Sequence, residues 1–266
     1  MKEMENILTA IRKLRGLARK VKHEYRDREP FPYALFDDAF DAQMLEDIIL
    51  EFDQTEDSWH EFNTRYEKKH QQSIEEKLGP TTRQFIHNLN SGPFLDFLEE
   101  LTGIEGLIPD PHLTGGGLHR IPRGGKLGVH VDFNVHKRMG VYRRINVIVY
   151  LNKNWREEYG GELELWSRKQ GRCVERILPA FNRMVIFNTT SESFHGHPNP
   201  LNCPDGVHRM SLALYYYTAN DSGNQKKKAH STLFLNEKNK VRPLEKISLP
   251  RALFRHIRHL LSSEKH

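Results

Sequence analysis

His130 and Asp132, two residues apart in the stretch HVDFNVH, carry side chains that bind divalent metals. In an extended chain residues i and i+2 face the same way, so imidazole and carboxylate reach a common point while Val131 packs behind them. A third donor stands in NTTSESFHGHP, where a strand-like run delivers His195 or His197 to a turn after Phe194. Two imidazoles and one carboxylate occupy one face of a six-coordinate ion and leave positions open, a donor set suited to non-haem Fe(II). The chain has only two cysteines, Cys173 and Cys203, so a metal site falls to histidine and carboxylate, and a disulfide framework is excluded.

A second constellation lies in HRMSLALYYY, where Arg209 and Ser211 are again two apart on one face of an apolar strand. A guanidinium buried there requires an anion, and a planar fork beside a hydroxyl suits one carboxylate. In RRINVIVYLN, Asn146, Ile148 and Tyr150 alternate onto one face, and the Asn146 amide either enters a cavity or bonds a neighbouring strand. His119 and Arg120 precede a glycine turn close to these residues. His136, Lys137 and Arg138 read as a solvated loop, Trp166 as core, and Gly160–Gly161 as a hairpin turn.

These side chains need strands to hold them, and the chain supplies strands in its middle. RRINVIVYLNKNW, GGELELWS, ERILPAFNRMVIFNT and HRMSLALYYYTAN are β-branched and aromatic runs separated by turn residues, with no helical pattern between them. That pattern predicts an antiparallel jelly-roll-like core over residues 105–220. Residues 1–104 read as a mainly helical flanking region. Ile7, Ile11, Leu14, Ala18 and Val21 mark one face of a first helix, Asp41 caps a second, and two more follow at 82–89 and 93–101. Residues 221–266 read as a polar loop and a basic amphipathic helix that starts near Pro250.

Taken together, HVD, RRINVIVYLNKNW with GGELELW, PAFNRMVIFNTTSESFHGHP and HRMSLALYYYT resemble the Fe(II)/2-oxoglutarate-dependent dioxygenase superfamily, in its prolyl-4-hydroxylase-like branch. The resemblance covers about Gly115 to Thr218. It implies an α+β chain with a double-stranded β-helix (jelly roll) core, and His130, Asp132 and His195 as catalytic iron ligands. It further implies that Arg209 pairs with the far carboxylate of 2-oxoglutarate, that Tyr150 touches that carboxylate, and that Ser211 and Asn146 share the cofactor pocket. The implied reaction is a hydroxylation that consumes O2 and 2-oxoglutarate and releases succinate and CO2. The step from His195 to Arg209 is longer than in close prolyl hydroxylases because GHPNPLNCPDGVH intervenes, which keeps His197 in play as third ligand.

At 266 residues, 37% hydrophobic and 28% charged, the chain suits one large domain. No apolar run spans a bilayer and the first residues lack a secretory h-region, so a cytoplasmic protein is expected. The net charge of +5 and the basic terminal helices allow peripheral contact with the inner face of a membrane. Nucleic acid is not expected as a partner: the dealkylating relatives carry a second arginine six residues after the first, where this chain has Tyr215. A prolyl residue, a free amino acid, or an envelope sugar or lipid head group would fit the triad. The alternative class is a non-redox cupin-like isomerase or sugar-binding module, which gives no role to Arg209 with Ser211.

Overall fold

The computed structural model describes residues 2–53, 59–220, 229–235 and 241–243. Its helices are α1 (Lys2–Asp27), α2 (Ala42–Asp53), α3 (Pro80–Leu89) and α4 (Gly92–Thr102). The strands before and into the predicted core are β1 (Tyr33–Phe36), β2 (His60–Asn63), β3 (Glu67–Gln72), β4 (Ile108–Pro109), β5 (Gly117–Ile121), β6 (Lys126–Val131), β7 (Val135–His136) and β8 (Val141–Tyr150). There follow β9 (Leu163–Ser167), β10 (Arg172–Ile177), β11 (Met184–Asn188), β12 (Phe194–His197), β13 (Arg209–Thr218), β14 (Leu233–Leu235) and β15 (Val241–Pro243).

The strands form one curled antiparallel sheet in the order β1-β11-β8-β13-β5-β3-β6-β12-β9-β10, the jelly-roll core expected from the sequence. The β8 and β13 runs read as almost continuously apolar because both faces are covered, by helices outside and cavity residues inside. Ile145, Val147 and Val149 of β8 join Leu212, Leu214 and Tyr216 of β13 in one core with residues of all four helices.

Local chemistry sets the helices. The Asp41 carboxylate accepts from the Met44 amide at 3.0 Å and starts α2, as predicted. Glu51 of α2 accepts from the amides of Thr81 and Thr82, both at 2.8 Å, so a carboxylate meets the positive end of α3. Ile7, Ile11, Leu14 and Ala18 of α1 are buried in the shared core. The basic side of α1 pairs with α4, through Arg15 with Asp96 at 3.0 Å and Lys22 with Glu100 at 2.9 Å. The apolar stripe that a bilayer would take is therefore covered by protein. No described helix is long and apolar enough to cross a membrane.

The chain before residue 105 is mainly helical and also supplies strands to the sheet: β1 pairs with β11, and β3 pairs with both β5 and β6 and so bridges two strands adjacent in sequence. Two expectations need correction. The sheet does not end at residue 220, because β14 pairs with β6. Gly160–Gly161 closes no hairpin, since β8 and β9 are not partners and β9 lies between β12 and β10. The lysine-rich 221–228 and the predicted carboxy-terminal helix lie outside the described residues.

Candidate functional site

The concave face of the sheet encloses a cavity of about 360 Å³. His130 near the end of β6 and His195 in β12 are directly paired across neighbouring antiparallel strands. Asp132 follows β6 by one residue, on the same face as His130. The Asp132 Oδ1 atom lies 3.6 Å from His130 Nε2, and Oδ2 lies 3.6 Å from His195 Nε2. Among the described residues these three form the group whose donor atoms could share one ion, all within 4.8 Å of one another.

The tautomers suit that purpose. His130 Nδ1 lies 2.9 Å from the Gly128 carbonyl oxygen, and His195 Nδ1 lies 2.9 Å from that of Ser193. A carbonyl only accepts, so each Nδ1 carries the proton and each Nε2 presents a lone pair to the shared point. Burial is the largest cause that lowers the His195 pKa to about 4, which keeps its ring neutral. Burial alone would raise the Asp132 pKa, but Arg143, His195 and His130 together hold it well below the usual carboxylate range. Neutral imidazoles and an ionised carboxylate are the protonation states a divalent cation requires.

Arg143 is the site residue that the sequence did not single out. Its buried guanidinium stacks 3.4 Å from the Tyr215 ring centroid and 4.7 Å from that of Phe133, and its Nη2 lies 3.1 Å from Asp132 Oδ2. Asn146 completes this support. Its Oδ1 accepts from Arg143 Nη2 at 2.8 Å, and its Nδ2 donates to Asp132 Oδ2 at 2.8 Å. Of the two alternatives for Asn146, the amide enters the cavity, where it orients the carboxylate.

Arg209 lines the same cavity and is 5% exposed, and a cation buried this deeply calls for a counter-charge or hydrogen-bond partners. Its Nε donates to the Gly161 carbonyl at 2.7 Å and its Nη2 to the Tyr150 hydroxyl at 3.2 Å. Gly161 has φ +76°, and a Cβ there would fall 2.5 Å from Leu201 and 3.0 Å from the Arg209 side chain. Gly161 thus serves the arginine rather than a hairpin. Burial raises the Tyr150 pKa, partly offset by Arg209, so the phenol keeps its proton. Ser211 is buried and lines the same cavity. Leu127, Ile148 and Leu163 add apolar wall to it.

His197 lies outside the three-residue cluster. A Cβ on Gly196 would stand 2.7 Å from the Gly128 carbonyl oxygen, so β12 crosses β6 here with room for no side chain. His136 is not solvated as expected. It is 1% exposed, with Nε2 at 2.8 Å from the Thr114 hydroxyl and Nδ1 accepting from the Met139 amide at 3.1 Å. Trp166 is half-buried against Val129, Val131 and Phe194, as core. Two more walls come from outside the predicted core. The β2–β3 hairpin brings Phe62, Glu67, Lys69 and Gln71, and β14 brings Phe234, whose ring lies 5.3 Å from that of His130.

Fold and site define the class: a double-stranded β-helix with a two-histidine, one-carboxylate cluster and a buried arginine lining one cavity. Residues 116–217 match the pattern of the 2OG-Fe(II) oxygenase superfamily. A stretch of 79 residues, 28% of the chain, is 29% identical to prolyl 3-hydroxylase OGFOD1 of Mus musculus and spans 14% of that protein. The prolyl hydroxylase of Trichoplax adhaerens, solved with a hypoxia inducible factor peptide fragment, superposes with a TM-score of 0.58 at 17% identity, over 77% of this chain and 91% of that one. A Pseudomonas putida prolyl-4-hydroxylase gives 0.52 at 17% identity, over 76% and 100%. Residues 116–217, the β core, are thus similar in sequence pattern to the 2OG-Fe(II) oxygenase superfamily, and the fold is like that of the solved prolyl hydroxylases. The cofactors of that superfamily are Fe(II) and 2-oxoglutarate, with O2 as cosubstrate. The non-redox cupin-like alternative finds no support among these matches.

Proposed function

We propose that the protein is an Fe(II)- and 2-oxoglutarate-dependent hydroxylase in which His130, Asp132 and His195 hold the metal. Arg209, with Ser211 and Tyr150, takes the far carboxylate of 2-oxoglutarate. The observation that carries this reading is the convergence of two Nε2 atoms and one carboxylate on the lining of a cavity that a buried guanidinium also lines. When bound, metal and cosubstrate supply the coupled chemistry: O2 and 2-oxoglutarate become succinate and CO2 while one oxygen atom enters a substrate C–H bond as hydroxyl.

The residues of the chain do the positioning. Gly128 and Ser193 fix the two imidazole rings through their carbonyls, and Asn146 with Arg143 fixes the carboxylate. The glycine-held Arg209 sets where an acid stops in the cavity, and Leu127, Ile148 and Leu163 shut water from its methylene groups. The likeness of a 79-residue stretch to a prolyl 3-hydroxylase supports testing a prolyl-containing peptide first. Free amino acids and envelope sugar or lipid head groups come after it. Peripheral membrane contact through the basic terminal helices would, at α1, use its basic side, because its apolar stripe is buried.

The test is an anaerobic titration with Fe(II) and 2-oxoglutarate, followed by the visible metal-to-ligand charge-transfer band. Wild type should develop the band, His130→Ala, Asp132→Ala and His195→Ala should lack it, and Arg209→Ala should require far more 2-oxoglutarate. Absence of the band in wild type, or its loss in His197→Ala with retention in His195→Ala, would overturn the assignment.

A further inference from the structure

His197 is 3% exposed, yet neither of its ring nitrogens has a hydrogen-bond partner. Buried polar atoms are almost always satisfied, and one left unpaired in a cavity wall points to a missing ligand. An imidazole is also a poor choice for mere filling here, since a valine or leucine would close the same wall without leaving two polar atoms dry. The nearby Nε2 of His119 is unpartnered too, and both rings line the cavity that Arg209 and Ser211 line. His119 sits opposite Ser211 across the β5–β13 pair. Lys69 on the same lining is already paired with Glu67 at 3.3 Å.

We infer that His197, supported by His119, is a contact residue for the far carboxylate of 2-oxoglutarate, donating a ring N–H to the oxygen that Arg209 does not fully satisfy. The inference rests on the proposed function. An imidazole N–H and a guanidinium are both donors, so the two can share the oxygens of one carboxylate. The arrangement makes the acid site a three-sided grip of guanidinium, hydroxyls and imidazole, more polar than one arginine requires. It discriminates for a second carboxylate, because a 2-oxo acid ending in a methyl group would leave the imidazole nitrogens unpaired.

The experiment compares wild type, His197→Val, His197→Gln and Arg209→Ala in the anaerobic Fe(II) titration, using two ligands, 2-oxoglutarate and 2-oxopentanoate, which lacks the far carboxylate. His197→Val should bind 2-oxoglutarate about tenfold or more weakly, the loss of one hydrogen bond to a charged group. It should bind 2-oxopentanoate as wild type does, and its Fe(II) affinity should be unchanged. His197→Gln should recover part of the loss. The metal-free His197→Val protein should unfold at the same temperature as wild type or higher, because an unsatisfied polar group has been removed. Unchanged 2-oxoglutarate affinity, or equal weakening toward both ligands, would overturn the inference. Failure of the underlying proposal looks different: wild type would bind no 2-oxoglutarate, or Arg209→Ala would bind it as tightly as wild type.

Discussion

At the scale of residues, the site was legible where strand alternation exposes it. His130 with Asp132 and Arg209 with Ser211 each lie two apart in runs that are otherwise apolar, so their shared face and their cost of burial can be read directly. Arg143 could not be read that way. It adjoins Arg144 at the head of β8, and the alternation that sets Asn146, Ile148 and Tyr150 on one face points to Arg144; a register shift against β13 skips Arg144 and turns Arg143 to Asn146 and Asp132 instead. The structure makes Arg143 the prop of Asp132, so Arg143→Gln should weaken Fe(II) or Mn(II) binding by about 10- to 100-fold, the usual effect of losing an outer partner of a ligand. Metal titration checks this, and unchanged affinity would leave Asn146 as sufficient support.

The buried imidazoles also predict how the metal-free protein responds to acid. His195 is lowered to about 4 and His119 to about 3, in both cases chiefly by burial, whereas an unfolded histidine titrates near about 6.5. Between these values the unfolded chain binds more protons than the folded one. Stability is therefore complete above about pH 6.5 and declines as pH falls toward 4. Urea midpoints at pH 7 and pH 5 should differ accordingly, and less so in His119→Gln. Equal midpoints at both pH values in wild type would mean that the rings are not held neutral.

At the scale of elements, the core strands and the four helices followed the apolar periodicity of the sequence, and the misses were elements without one. The hairpin of β2 and β3 reads HEFN and EKKHQQ because one face lines a polar cavity, so neither alternation nor β-branched residues announce it. The short β14 likewise carries too few residues to form a pattern. Gly160–Gly161 has the composition of a hairpin turn, but Gly161 answers a different need, the approach of a backbone carbonyl to Arg209. Gly161→Ala should displace that arginine and weaken 2-oxoglutarate binding while Fe(II) binding stays as in wild type. Loss of both affinities together would show that the turn supports the metal site as well.

At the scale of the whole molecule, one core joins the helices to the sheet, since residues of α1 pack in the same cluster as β8 and β13. The sequence suggested a flanking helical region, and what it could not reveal is that the apolar faces of its helices share their interior with β8 and β13. Replacing the fully packed Leu14 with alanine should cost about 2–5 kcal/mol. The helix signal in far-ultraviolet circular dichroism and the metal-dependent visible band should then melt together. Separate transitions would mean that the helices form a domain of their own.

The bridging strand β3 has a practical bearing on any attempt to trim this chain. A fragment limited to residues 116–217 would retain the three metal-binding groups and Arg209, yet it would lose the partner that β3 provides to both β5 and β6. Two rows of unpaired amides and carbonyls would then be bare on either side of the cavity, a template for intermolecular pairing and precipitation. The shortest soluble version of the protein must therefore begin well upstream of its recognisable motifs.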